Sequence, residues 1–256
     1  MVEPSPVAPA PDGTAFAGQV VLVTGSSSGI GAATARRFAA LGATVVVNSA
    51  TSVAAGRAVA EALPDASYLR ADVADESQAR GLIDGVVARH GRLDVLVNNA
   101  GTTEVIPHHD LEAASPDVWR RIFDVNVVGT WQVTVAAVDH LRASGRGQVV
   151  NVSSLAGERA TGSSIPYACS KAAVSHMTRL LANTLAPAVR VNAVAPGLVD
   201  TPWTATWDVV REFVNAQAPL QRTATPDDVA ELIVGLARST YVTGEVVLVD
   251  GGMALR

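Results

Sequence analysis

The sequence predicts a single α/β domain built on a doubly wound, seven-stranded, mostly parallel sheet with helices on both faces. Short apolar, β-branched runs recur along the chain, longer Ala-rich segments with helical spacing lie between them, and no Pro/Gly/Ser-rich linker divides the series. Continuous apolar runs suit parallel strands buried on both faces, and strand–helix–strand repetition implies right-handed crossovers.

Taken in order, strands are expected at Val20–Val23, Thr44–Val47, Tyr68–Leu69, Leu93–Val97, Gln148–Val152, Val189–Val194 and Glu245–Val249. Each is too short and too bare of helical spacing to be a buried helix. Helices are expected at Ile30–Leu41, Val53–Leu63, Glu76–His90, Pro116–Ala143, Ala168–Ala186 and Pro226–Ala237. Several starts carry caps. Asp75-Glu76-Ser77-Gln78 fits a capping box, while Ser115-Pro116 and Thr225-Pro226-Asp227 set a cap residue before proline at the first helical position. Residues 1–15 are too proline-rich for helix or central strand and lack the pattern of a secretory signal. They are expected to be a disordered tail ahead of a domain spanning 16–256.

Composition narrows the function. Hydrophobic residues at 48% against 17% charged exclude disorder for the bulk of the 256-residue chain. A net charge of −5 lacks the basic footprint of a nucleic-acid or anionic-membrane binder. Mean hydropathy is +0.27, yet no run of about 18 apolar residues occurs, so no membrane span is expected. The single cysteine, Cys169, cannot close an intramolecular disulfide and reads as a small packing residue. The expectation is a soluble cytoplasmic protein.

The first strand runs into Thr24-Gly25-Ser26-Ser27-Ser28-Gly29-Ile30-Gly31, and a helix follows at once. Glycines let the backbone turn sharply and approach a pyrophosphate, while the new helix offers unpaired N–H groups and its positive dipole end. Such turns also serve as plain connections, but the place between first strand and first helix favours a dinucleotide held by Gly25, Ser27, Ser28, Gly29, Ile30 and Gly31.

Tyr167 and Lys171 stand at i and i+4, so a helix projects both from one face. A phenol with a pKa of about 10 is a poor base at neutral pH, and a neighbouring ammonium favours the phenolate. The same spacing also suits a half-buried tyrosine beside a snorkelling lysine. What sets this pair apart is that Lys171 is the sole lysine among 19 basic residues. Its compact three-donor head can serve a ribose diol and a phenol together, which planar guanidinium cannot simply replace. Ser154 follows the fifth strand, at the carboxyl edge where open α/β sheets bind ligands; strand alternation points it and Ser153 differently and leaves the choice between them open. Asn126 lies inside an expected helix and reads, on the residues alone, as a structural polar side chain. The histidines show no ligand spacing with cysteines or carboxylates, so no metal is expected, and His108 and His109 read as an exposed loop.

Four segments in this order resemble the short-chain dehydrogenase/reductase family in its compact single-domain branch. They are the glycine-rich turn, Asn98-Asn99-Ala100-Gly101, Ser154 with Tyr167-Ala168-Cys169-Ser170-Lys171, and Pro196-Gly197-Leu198-Val199-Asp200-Thr201. The likeness covers about Phe16 to Gly252. It implies a Rossmann-type fold and an NAD(P)(H)-dependent oxidoreductase interconverting a ketone and a secondary alcohol. It further implies that Tyr167 is the acid/base, Lys171 its electrostatic partner and ribose ligand, and Ser154 the oxygen anchor. Asn126 would order a water that relays protons from the lysine. By the same resemblance Asp72 and Val73 meet the adenine, and Asn98, Ala100 and Gly101 line the adenosine side while Asn99 ties strand edges. Pro196, Gly197, Val199 and Thr201 hold the nicotinamide amide, and the chain forms a homotetramer or homodimer.

Cofactor choice is read at the end of the second strand, where NAD-preferring relatives usually place an acid. Val47-Asn48-Ser49-Ala50-Thr51 carries no charge, so Asn48 and Ser49 can donate to a phosphate. NADP(H) is favoured and NAD(H) stays open. Trp203, Trp207 and Phe213 fall in an expected substrate lid around 201–222, where they either face an apolar or aromatic ketone or alcohol or pack the lid itself. The residues oppose two rival readings. A catalytically silent nucleotide-binding regulator of the same fold is opposed by the intact four-residue set. A serine hydrolase is opposed by alanine at 168, which removes a Ser-x-x-Lys arrangement, and by the lack of a G-x-S-x-G elbow.

Overall fold

The computed structural model describes residues 12–256. Its strands are β1 (Val20–Val23), β2 (Thr44–Ser49), β3 (Ala66–Arg70), β4 (Val95–Asn98), β5 (Gly147–Val152), β6 (Val189–Pro196) and β7 (Val246–Val249). They form one parallel sheet in the order β3-β2-β1-β4-β5-β6-β7, with Leu22 of β1 level with Val46 of β2 and Leu96 of β4. The strand order reverses between β1 and β4. Crossovers diverge there to opposite faces, which opens a crevice at the carboxyl ends of the strands.

The helices are α1 (Gly29–Ala40), α2 (Val53–Glu61), α3 (Glu76–His90), α4 (Pro116–Phe123), α5 (Thr130–Ala143), α6 (Ile165–Leu185), α7 (Asp208–Gln217) and α8 (Pro226–Arg238). On one sheet face Val21, Val23, Val45 and Val47 join the core of Phe38 from α1 and Val229 and Ile233 from α8. On the other, Leu22, Val46 and Leu96 join Ile83 of α3, Leu141 of α5 and Leu181 of α6. Successive β1 residues therefore enter alternate layers, which explains why the whole run is apolar. Full burial of each such side chain contributes about 1.5–3 kcal/mol.

Several boundaries differ from the sequence reading, each for a local reason. The expected tail lies outside the described residues as far as residue 11. Beyond it Asp12–Thr14 forms a short 3-10 turn, and Phe16 is buried edge-on against Phe38 with ring centroids 4.8 Å apart. The one long helix expected over 116–143 is α4, a six-residue π-helical segment Asp124–Gly129, and α5. Gly129 is pressed against the chain after β3, where a β-carbon would lie 2.8 Å from Val73 Cγ2. Helix α6 starts earlier than Ala168 because the Ser164 hydroxyl accepts from the Tyr167 N–H at 3.4 Å, with Pro166 in the first turn. The region after Thr201 holds a 3-10 turn, Pro202–Thr204, and α7, which the sequence reading left without a helix.

That region is an excursion closed at its neck. Val199 and Ala224 form a parallel bridge, with the Asp200 N–H donating to Ala224 O at 2.8 Å and the Ala224 N–H to Leu198 O at 3.1 Å. Among the described residues no helix is long and apolar enough to cross a membrane.

Candidate active site

A cleft of about 1300 Å³ crosses the carboxyl edge of the sheet, from the β1–α1 turn to Ser154, Tyr167 and Trp203. Single small-molecule sites span roughly 300–1,000 Å³, so this one has room for a cofactor and a substrate side by side.

At one end Gly25 and Gly29 hold positive φ of 62° and 53°. A β-carbon on Gly25 would stand 2.8 Å from Ala100 Cα, so the turn and the β4 end touch backbone to backbone. Ser28, Gly29, Ile30 and Gly31 line the cleft at the start of α1, and Ser28 makes no side-chain cap there. Asp75, Ser115, Ser164 and Thr225 all cap their own helices. Uncapped N–H donors at a positive dipole end, with no acid in the first turn, suit a pyrophosphate.

Gly31 has a second duty. A β-carbon there would lie 2.6 Å from both Asn99 Nδ2 and Gly25 O. Gly31→Val is therefore expected to cost about 1–3 kcal/mol of stability as well as dinucleotide affinity. Thermal unfolding beside calorimetry checks this, and a variant melting with the wild type would show that the packing yields.

The neighbouring asparagines divide the work. Asn99 Nδ2 donates to Thr24 O at 2.9 Å and Gly25 O at 3.0 Å, tying β4 to β1 beside the cleft. Asn98 does not line the cleft, a correction to the sequence reading. Strand alternation turns it inward, where its Nδ2 donates to Thr134 Oγ1 and Asn151 Oδ1, both at 2.9 Å. Ala100, Gly101, Asp72 and Val73 do line it. Asn48 and Ser49 reach the cleft wall, but their polar atoms are engaged by the protein. Asn48 Oδ1 accepts from the Gly25 N–H at 3.3 Å and its Nδ2 donates to Leu69 O and Ala71 O, both at 3.1 Å. Ser49 Oγ lies 2.9 Å from the Tyr68 phenol.

At the other end, α6 carries Tyr167 and Lys171 one turn apart. Lys171 is buried, its Nζ donates to Val152 O at 2.8 Å, and it stands 5.8 Å from the Tyr167 ring centroid. Burial pushes its pKa down to about 8. Burial also pushes the Tyr167 phenol up, and the hydrogen bond with Ser154 is what draws it back. The expected lowering by Lys171 is absent at equilibrium, because Lys171, at about 8, gives up its proton before a phenol raised above its ordinary value ionises. Ser154 caps the short 3-10 turn Leu155–Gly157, accepting from the Ala156 N–H at 3.2 Å. Ser153 points away from the reacting groups, donating to Lys171 O at 2.9 Å and meeting Ser175 Oγ at 2.7 Å.

Asn126 sits in the π-helical segment with its amide fully engaged. Nδ2 donates to Thr102 O at 3.0 Å and Ser170 Oγ at 2.9 Å, and Oδ1 accepts from the Thr102 N–H at 2.8 Å. The amide thus clamps the chain after β4 to α6. Ser170, whose Oγ also donates to Tyr167 O at 2.7 Å, was missed by sequence reasoning although it stands inside the Tyr-to-Lys motif.

Pro196, Gly197, Val199 and Thr201 line the cleft between its two ends. The substrate side adds Val105, Val210, Phe213 and Met253, and Trp203 meets Tyr167 edge-on with centroids 6.2 Å apart at 75°. His108 lines the mouth, and Cys169 is exposed on α6 rather than packed. Among the described residues no group of three or more His, Cys, Asp or Glu could hold a metal ion.

With this geometry in hand, the chain matches the family model described as enoyl-(acyl carrier protein) reductase over residues 25–254. It is 62% identical over 239 residues to the protein named for ketoacyl reductase 2 of the granaticin polyketide synthase of Streptomyces violaceoruber, covering 92% of this chain and 96% of that one. It is 42% identical over 247 residues to cis-4-hydroxycyclohexanecarboxylate dehydrogenase of Sinomonas cyclohexanicum, covering 94% and 98%. A crystal structure described as a short-chain dehydrogenase/reductase from Burkholderia xenovorans matches with a TM-score of 0.88 and 42% identity, covering 93% of this chain and 98% of that one.

Proposed function

Because the chain belongs to the short-chain dehydrogenase/reductase family and is an oxidoreductase acting on CH–OH groups, we propose that it interconverts a bulky apolar ketone and its secondary alcohol, with NADP(H) preferred to NAD(H). One observation supports this above the rest. Tyr167, hydrogen-bonded with Ser154 and backed by buried Lys171, stands between an uncapped dinucleotide turn and a wall of Trp203, Val210 and Phe213. Nothing comparable supports a silent regulator.

The cleft fits the cofactor at the bare N-terminus of α1, where Gly25 and Gly31 leave no room for a β-carbon. Gly25 to Gly31 would hold the pyrophosphate and Lys171 a ribose diol, with Pro196, Gly197, Val199 and Thr201 along the nicotinamide side. When bound, the cofactor supplies or accepts the hydride. The protein manages the proton. In reduction Tyr167 donates its phenolic proton to the ketone oxygen while Ser154 donates a hydrogen bond to the same atom; in oxidation the phenolate takes the proton back. Lys171 stabilises that phenolate, and the Asn126–Ser170 clamp keeps the turn bearing both groups in register. Asn126, through that clamp, serves the reaction by position.

The cofactor preference rests on the lack of any carboxylate over residues 48–52 and on the ketoacyl reductase likeness. Since Asn48 and Ser49 are engaged elsewhere, exposed Thr51 and Ser52 are the hydroxyls left to meet an adenosine phosphate. Thr51→Asp is expected to lower kcat/KM at least about tenfold more for NADPH than for NADH, by like-charge repulsion. Equal losses would remove Thr51 from cofactor choice.

The whole reading is tested by following loss of reduced-nicotinamide absorbance with cyclohexanone, 1-tetralone and a linear β-ketoacyl thioester. Turnover of the thioester alone would reject the bulky ring ketone. Self-association as a dimer or tetramer is proposed on the half-exposed apolar residues Val128, Trp131 and Val135, which share one helical face.

A further inference from the structure

Helix α7 lines the cleft, yet none of its residues is buried. Val209 and Phe213 are 80% and 55% exposed. A ten-residue helix without a buried apolar face does not hold itself in place. Its side-chain attachments are polar: Thr223 Oγ1 donates to Asn215 Oδ1 at 3.0 Å at the last turn, and Arg211 ties the first. Arg211 Nε donates to Asp200 Oδ1 at 2.8 Å, Nη1 to Asp208 Oδ1 at 2.7 Å, and Nη2 to Thr204 O at 3.1 Å. One planar guanidinium therefore joins the neck after β6, the 3-10 turn and the first turn of α7.

Two of those anchors are themselves fixed. Asp200 is held at the neck through its N–H to Ala224 O. Thr204 Oγ1 donates to Val199 O at 2.6 Å and pairs with Thr201 in a capping box. Trp203 is the residue before Thr204, and its ring bounds the face of the slot beside Tyr167. Isolated surface ion pairs are worth little, but a fork bridging three acceptors at 25% side-chain exposure is a network with defined geometry.

We infer that Arg211 is a positioning residue that sets the size of the substrate slot by fixing Trp203 and α7 over Tyr167. The inference rests on the ketone reading above. A small ring reaches Tyr167 and Ser154 without needing the far wall, whereas a fused aromatic ketone needs the Trp203 contact.

The test uses the full-length enzyme and its Arg211→Gln and Arg211→Lys variants. In Arg211→Gln the KM for 1-tetralone should rise about tenfold, as loss of one aromatic contact implies, with kcat and all cyclohexanone constants within about twofold. Arg211→Lys should recover part of the loss, since a point charge cannot bridge three acceptors. Hydrogen exchange over residues 201–217 should quicken in Arg211→Gln while the sheet is unchanged. Unchanged exchange there, or equal losses on both ketones carried by kcat, would overturn the assignment. If the wild type reduces neither ketone, the functional reading fails, and the exchange result still decides the role of Arg211.

Discussion

Lys171→Met is expected to melt a few degrees above the wild-type protein and to lose nearly all turnover. Burial lowers the lysine from 10.5 to about 8, and each pKa unit is worth about 1.4 kcal/mol, so its charge costs on the order of 3 kcal/mol at neutral pH. The sign follows from proton counts. Between the folded and unfolded pKa values the unfolded chain binds more protons, so stability rises with pH across that window, and the full cost is present below it. Methionine removes the charge and keeps the stem. The Val152 carbonyl loses its donor, which returns about 1–2 kcal/mol, leaving a net gain on the order of 1–2 kcal/mol at neutral pH. At about 2–4 °C per kcal/mol for a chain of this size, calorimetry resolves it. Activity moves the other way. Loss of the cation should cost roughly 10²–10⁴-fold and shift the remaining pH profile upward, because the phenolate loses its neighbour. A variant that melts below the wild type would overturn the burial cost, and one that keeps its rate and profile would remove Lys171 from the mechanism.

Tyr167→Phe carries the second large effect. The ring keeps its edge contact with Trp203, while the proton donor and the partner of Ser154 disappear. A loss of roughly 10²–10⁴-fold in kcat/KM is expected, with dinucleotide affinity by calorimetry unchanged. Retention of more than about a tenth of the activity would mean that another group handles the proton.

These two residues were legible in the sequence because their signal is local: four residues apart, on a helix, with the one lysine. The inner strands were legible for the same reason, since burial on both faces writes itself as a largely apolar run. What stayed hidden depends on distant partners. Nothing around Asn48 and Ser49 announces that Tyr68 and Leu69 on β3 and Ala71 just after it engage their polar atoms. Asn98 and Asn99 are chemically identical, and only the pleat separates a cleft residue from an interior one. The widened helical turn at Asn126 goes with Gly129 pressed on Val73 and with the Thr102 contact, neither visible as periodicity. Helix α7 does carry helical spacing, at Val209, Val210, Phe213 and Val214, but those residues line the cleft instead of entering the core.

The pinched neck between Val199 and Ala224 bears on how such a protein can be re-engineered. The piece between those two points is tied again on its return, where Ala218 is buried and the Leu220 N–H donates to Gly251 O at 3.0 Å, so the part ahead of Ala218 is the cassette. A replacement of different length meets the same hooks, and doubling its length adds only about 0.6 kcal/mol of closure entropy. Chimaeras that exchange residues 202–217 for the matching stretch of a relative should therefore fold on an unaltered chassis and differ in which ketone they accept. Diversification of this scaffold can proceed by graft, with the proton-handling groups inherited intact.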